Sequence, residues 1–216
     1  LGLAIHTPTY MFLKDTRTTN LSTAVENPVE FFNVSSQTFT NNQPGEARYI
    51  QSSPFKAIIS GSYVFREIQD VTKQKGFITA DIEYVHHKGS RFSSDNEEVK
   101  KKKKQYYMEL NKVVKADYKG NFNFKVGGEL KFNVIMARLG FAYYGNPYKD
   151  AAYKASRMLL SGGLGYRNKG FFIDLTYVHA MSKDVSFPYR LQDRANTYAD
   201  LKEQRGNIVA TAGFKF

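Results

Sequence analysis

The chain has 216 residues, enough for one substantial domain, and its 31 Lys and Arg outweigh 20 Asp and Glu to give a net charge of +11. It has no Cys, which excludes disulfides, thiolate chemistry and the common zinc sites, and an aromatic content of 15% without a single Trp. A mean hydropathy of -0.48, with no apolar run near the ~20 residues of a membrane helix, excludes helical spans but leaves open strands that are apolar only at alternate positions.

Eight segments show that alternation, in chain order at 1–12, 53–66, 76–87, 121–132, 133–144, 156–166, 170–181 and 207–216. In the second, Phe55, Ala57, Ile59, Tyr63 and Phe65 oppose Lys56, Ser60, Ser62 and Arg66. In the fourth, Phe122, Phe124, Val126, Leu130 and Phe132 oppose Asn123, Lys125, Gly127, Glu129 and Lys131. Each is about 10 residues long, which suits a tilted strand crossing a hydrocarbon layer. The connections alternate in length. Those at 13–52, 88–120, 145–155 and 182–206 are long, and those between them are short. Long loops on one side and short turns on the other are how outer-membrane barrels are built. The pattern predicts an all-β chain, a transmembrane antiparallel up-and-down β-barrel of about eight strands. Residues 1–216 form a single domain or the C-terminal portion of one, with the long loops extracellular and an export signal expected upstream of Leu1. The loop at 88–120 is predicted to hold a short helix, since Ser94 and Glu97 fit a capping box and Tyr106, Leu110, Val113 and Val114 recur at helical spacing.

Alternation alone does not say which face is inside. Charge mixed with small residues on the polar faces, and aromatics such as Tyr143, Tyr144, Tyr166, Phe171 and Tyr177 near strand ends, favour a polar lumen and a lipid-facing exterior. The predicted lumenal charge network is Lys56, Arg66, Asp81, Glu83, Lys125, Glu129, Lys131, Arg138 and Asp174. A two-residue turn at Asn133 and Val134 makes cross-strand partners sum to 267, so Glu129 is predicted to stand opposite Arg138 as a bidentate pair.

The chain offers little for catalysis. His86 and His87 are adjacent and point to opposite faces, so they do not chelate one ion together. Asp81 and Glu83 share a face, where charge balance explains them better than acid–base work. His179 with Ser182 is the one candidate hydrolytic pair. SGGLGY at 161–166 reads as small residues allowing close packing rather than a phosphate loop. No catalytic, cofactor-binding or metal residue is predicted, and the chain is expected not to be an enzyme.

LGLAIHTPTYMFL, GFITADIEYVHHKGSRFSSD, FKVGGELKF with ARLGFAYYGNPYK, GLGYRNKGFFIDLTYVHA and the closing GFKF together resemble the C-terminal part of the FadL/TodX-like outer-membrane transporters of hydrophobic compounds. The resemblance implies a barrel of about 14 strands, within the range of bacterial barrels, with an N-terminal hatch that this chain lacks. It also implies passive uptake of hydrophobic small molecules, fatty acids or aromatic hydrocarbons, without a cofactor. Phe214 and Phe216 match the terminal aromatic signal that such proteins present to the outer-membrane assembly machinery, although Thr211 stands where a glycine is expected. The run Lys100, Lys101, Lys102, Lys103 and Lys104 is placed on the outer surface against lipopolysaccharide phosphates. The expected setting is the bacterial outer membrane, with its lipid and lipopolysaccharide as partners and no nucleic acid. The alternatives are a structural or partner-binding outer-membrane barrel, complete or a subunit of a larger membrane complex, and a soluble basic β-protein that binds nucleic acid.

Overall fold

A computed structural model describes residues 1–26, 29–65, 75–94, 97–102, 104–188 and 197–214. In chain order the strands are β1 (Gly2–His6), β2 (Tyr10–Arg17), β3 (Asn20–Glu26), β4 (Val29–Ser35), β5 (Gly45–Ser52), β6 (Phe55–Phe65), β7 (Gly76–His86), β8 (Arg91–Ser93), β9 (Gly120–Phe132), β10 (Ile135–Tyr144), β11 (Ser156–Asn168), β12 (Phe171–Ser186) and β13 (Ala199–Phe214). Two helices, α1 (Glu97–Lys102) and α2 (Lys104–Asp117), lie between β8 and β9. The chain divides into two compact units. One holds Leu1–Thr7, Pro54–Gly89 and Lys115–Phe216, and the other holds Pro8–Ser53 and Ser90–Val114.

The first unit is built on one antiparallel sheet of eight strands in the order β1-β6-β7-β9-β10-β11-β12-β13. The alternating segments thus meet as neighbours, and the tight turn at Asn133, with φ 53°, sets β9 against β10 in the expected register. The sheet does not close. Among the described residues β1 is hydrogen-bonded only to β6, and β13 only to β12. The expected transmembrane barrel is therefore corrected to an open sheet. Period two reports which way each side chain faces, but it is identical whether or not the first and last strands meet. Among the described residues no helix is long and apolar enough to cross a membrane.

The first alternating segment is interrupted. Pro8 has no N–H to give to a ladder and fixes its own φ, and the chain breaks there into β1 and β2, which join different sheets. The predicted loop at 13–52 is likewise corrected, since it carries most of β2 and all of β3, β4 and β5. In the second unit β2, β5 and β8 make one sheet and β3 pairs with β4 in another. The free side of β8 is satisfied by the helix. Asn111 on α2 accepts from Phe92 N at 2.8 Å and donates to Phe92 O at 2.9 Å, replacing a missing strand. The helical periodicity around Tyr106 and Leu110 does form α2. The first helix starts at Glu97, while Asp95 and Asn96, between it and the expected cap, lie outside the described residues.

In the large sheet the buried positions gather on the face that carries the charges. Val85, Met136 and Ala180 are buried there beside Glu83, Asn121, Asn123 and Glu129. The opposite face is apolar and open, with Leu139 76% and Ile208 74% exposed. At one end of the sheet Tyr118, Tyr148, Tyr153, Phe187 and Tyr198 form a chain of ring contacts 5.1 to 6.0 Å apart that ties three connections together. Burial, with the nearby Tyr118 and Asp184 adding to it, pushes the Tyr148 phenol up to about 12.

Two strand pairs repeat one arrangement. The Tyr84 hydroxyl is hydrogen-bonded to His86 Nδ1 at 3.1 Å, and the Tyr177 hydroxyl to His179 Nδ1 at the same 3.1 Å. His86 stands opposite Gly120 and His179 opposite Gly206, and in each case the tyrosine ring covers the space a Cβ would need.

Gly76 opens β7 at φ +152°, and a Cβ there would strike the Glu129 carbonyl. Gly76→Ala is therefore expected to lower stability by about 2 kcal/mol or more, a sum of the strained dihedral and the clash. Urea unfolding followed by circular dichroism measures it, and an unchanged midpoint would contradict this local geometry.

Candidate functional site

The charged face of the large sheet holds two clusters. In the first, Arg138 on β10 stands opposite Glu129 on β9, as the turn register requires. The predicted bidentate pair is instead a bridge between two carboxylates. Arg138 Nε donates to Glu129 Oε2 at 2.5 Å, and Nη1 donates to Asp174 Oδ1 on β12 at 2.6 Å. Reaching β12 means passing over β11, which presents Gly163 and Gly165 at that level. A Cβ on Gly165 would run into the Asp174 carboxylate and come within 3.0 Å of Met136 Cε. The glycines of SGGLGY thus leave the space through which the bridge passes. Hydrogen bonding to Glu129, set against some desolvation and supported by Asp174, raises the Arg138 pKa further above its already high value. Lys131 Nζ lies 3.8 Å from Glu129 at the edge of the cluster.

The second cluster lies nearer the aromatic end. Glu83 on β7 accepts from Asn123 Nδ2 at 2.6 Å, and Asn123 Oδ1 accepts from Asn121 Nδ2 at 3.0 Å and from Gly145 N at 3.1 Å. Lys125 Nζ lies 3.8 Å from Glu83 and 5.7 Å above the Tyr144 ring. Both amide side chains and Glu83 are buried, so these bonds replace the water the groups have lost. Burial holds the His87 imidazole below its ordinary pKa of 6.5; the Asn121 amide partly offsets this and Lys56 adds to it.

Of the other predicted charges, Lys56 and Asp81 share this face, Asp81 standing opposite Ser60 and Lys125. Arg66 lies outside the described residues, as do Phe216 and Lys103. Lys101, Lys102 and Lys104 are exposed on the two helices, and Lys100 lies in α1. Phe214 is on the apolar face, its ring 5.2 Å from that of Phe171. His179 and Ser182 differ by three along β12 and so leave opposite faces, which separates the candidate hydrolytic pair.

Sequence reading missed a groove in the second unit, lined by β2, β5, β8, α2 and the short 3₁₀ turn at Ser36–Phe39. Its residues are scattered from Asp15 to Leu110. Residues 14–17 are polar on both parities, so period two offers no signal for the groove.

Comparison with protein-family models, with curated proteins and with solved structures returns no match to this chain. The resemblance to the FadL/TodX-like transporters thus has no support beyond the quoted residues, and with the sheet open the inferences built on a barrel fall with it. Outer-membrane localisation, hydrophobic uptake and the larger membrane complex are withdrawn on that ground. So are the lipid, lipopolysaccharide and assembly-machinery contacts assigned to Lys100–Lys104, Phe214 and Phe216.

Two outcomes follow from these clusters. Gly165→Val is expected to cost about 2 to 4 kcal/mol by displacing Asp174 from Arg138, and the cost should shrink in an Asp174→Ala background, where only the flexible end of Met136 has to move. Equal costs in both backgrounds would count against the bridge. For His87, the folded pKa lies below the unfolded one, so the unfolded chain binds the extra proton and stability falls as pH drops through about 6.5. The urea midpoint should therefore decline more between about pH 7.5 and 5 in the wild type than in His87→Gln, and parallel declines would refute it.

Proposed function

We propose that this chain is a non-catalytic structural β-sheet protein that works in association, its large sheet continued by a second copy pairing along β13. One observation carries the reading. β13 is a sixteen-residue edge strand, bonded among the described residues to β12 on one side only and exposed along nearly its whole length. Edge strands in monomers are protected by charges, prolines, bulges or a covering element. The first half of β13 has such charges in Asp200, Lys202, Glu203 and Arg205, but Gly206–Phe214 has none and no proline.

The apolar face supports the same reading. Leu139, Leu164, Ile208 and Phe214 stand largely uncovered, and contiguous apolar surface of this kind marks an interaction surface in a folded protein. A two-fold axis perpendicular to the sheet keeps each face continuous across an antiparallel β13 pair, which is the symmetry most dimers adopt. The separation of His179 from Ser182 onto opposite faces agrees with a binding rather than a catalytic role.

Light scattering after size exclusion is expected to give a mass twice the 24.6 kDa chain. Ala210→Lys, at the middle of the uncharged half, sets two like charges close together across the join and is expected to raise the dimer dissociation constant by at least about tenfold, or ~1.4 kcal/mol. A monomer at every concentration, or a dimer indifferent to Ala210→Lys, would overturn the assignment.

A further inference from the structure

The groove of the second unit has a volume of about 950 Å³, at the upper end of the range for ligand sites. We infer that it binds a planar aromatic anion, a flat ring system bearing a phosphate, sulfonate or carboxylate. The register of β2 with β5 sets Arg17 opposite Gly45, Asp15 opposite Ala47 and Leu13 opposite Tyr49, so these residues share one face. Arg17 therefore stands at one end of the strand pair beside the hydroxyl residues Thr19, Ser36 and Thr40, which line the groove with it. Tyr49 stands two residues further along its own strand than Ala47. Its ring lies 6.1 Å from Phe92, and Tyr106 and Tyr107 of α2 complete an aromatic wall. Gly45 beside Arg17 and Ala47 further along are small enough for a flat body to lie on them, and the Asp15 carboxylate stands across from Ala47. The span from the Arg17 row to the Tyr49 row is four residues, roughly 13 Å at the rise of an extended strand, which fits two fused rings and an anionic group.

The charges select the sign of the ligand. Glu46 is held by Lys14 and by Arg48, each at 2.6 Å, so its charge is already compensated. Arg17 makes no ion pair among the described residues and shares its face with Asp15, while Lys14, Glu46 and Arg48 alternate to the other face and leave the strand pair as a whole with one positive charge in excess. A guanidinium in that position recognises a phosphate or carboxylate through charge-assisted bonds. Rings meeting it from the other end are held by stacking on tyrosine and phenylalanine.

The test titrates the full chain with 2-naphthyl phosphate, read by the polarisation of naphthyl fluorescence, beside 2-naphthol and inorganic phosphate. Saturable one-site binding is expected, at least about tenfold weaker for either half-ligand alone. Arg17→Ala is expected to weaken 2-naphthyl phosphate about tenfold or more and Arg17→Lys less, since the ammonium keeps the charge and loses the fork. Tyr106→Ala should weaken it several-fold. Leu139→Ser, on the apolar face of the other unit, should leave it unchanged, which separates the groove from adsorption to that face. Circular dichroism confirms that each variant is folded. Non-saturable binding, equal affinity for 2-naphthol, or equal affinity in folded Arg17→Ala would overturn the inference.

Discussion

The bridge that Arg138 makes between Glu129 and Asp174 is the constraint on which the large sheet depends. A sheet of eight strands with an open apolar face has few packed side chains to fix its register, and no large side chain among the described residues is fully buried. A one-residue slip of β10 would carry Arg138 to the other face and strand two carboxylates, one of them 9% exposed. A single guanidinium therefore registers three strands, β9, β10 and β12, and the strand it crosses, β11, is fixed by having to offer glycine at the crossing. Sequence, local geometry and register are linked here through one planar group whose donors diverge.

That arrangement places polar groups where a globular domain usually keeps hydrocarbon. Glu83, Asn121 and Asn123 shield one another in one cluster and Glu129 lies against Arg138 in the other, while isoleucines, leucines and phenylalanines occupy the opposite face in the open. Hydrogen bonds among buried groups roughly replace those made with water, whereas apolar area left uncovered forfeits about 25 cal/mol per Å². The balance favours association over isolation, and the uncharged half of β13 provides the direction in which the sheet can continue. The smaller unit follows different logic, with the edge of its β8 already satisfied by the Asn111 amide.

Much of the large sheet was legible in the sequence because its information is local. Alternation around Phe122–Phe132 and Ile135–Tyr144 fixed the facing of both strands, and two residues between them left one register, from which the Glu129–Arg138 contact followed. The second carboxylate did not follow, because Asp174 reaches Arg138 only over the gap at Gly165, a three-strand relation that no pairwise rule contains. Closure was misread for a related reason. Residues 2–6 and 199–214 read the same whether or not they are partners, so the barrel was an extrapolation from loop lengths. The segment 13–52 was read as a loop because the alternation ends at Phe12, beyond which residues 14–17 are polar on both faces. The groove was hidden altogether, since Arg17, Tyr49, Phe92 and Tyr106 belong together only after β2, β5, β8 and α2 have assembled.

The paired Tyr-His-Gly arrangement has a consequence for how such a sheet can be built and altered. β7 and β12 lie four places apart in an antiparallel order, so they run the same way and show the same face, and each is followed by the strand that carries its glycine. The arrangement thus occurs twice, four strands apart, on one face of the sheet. A block of that length could be added or removed without inverting any face or reversing any neighbour, whereas a block of odd length would set two strands parallel at the seam. Two tyrosines that each fold over the glycine of the next strand mark places of equal direction and facing in the sheet.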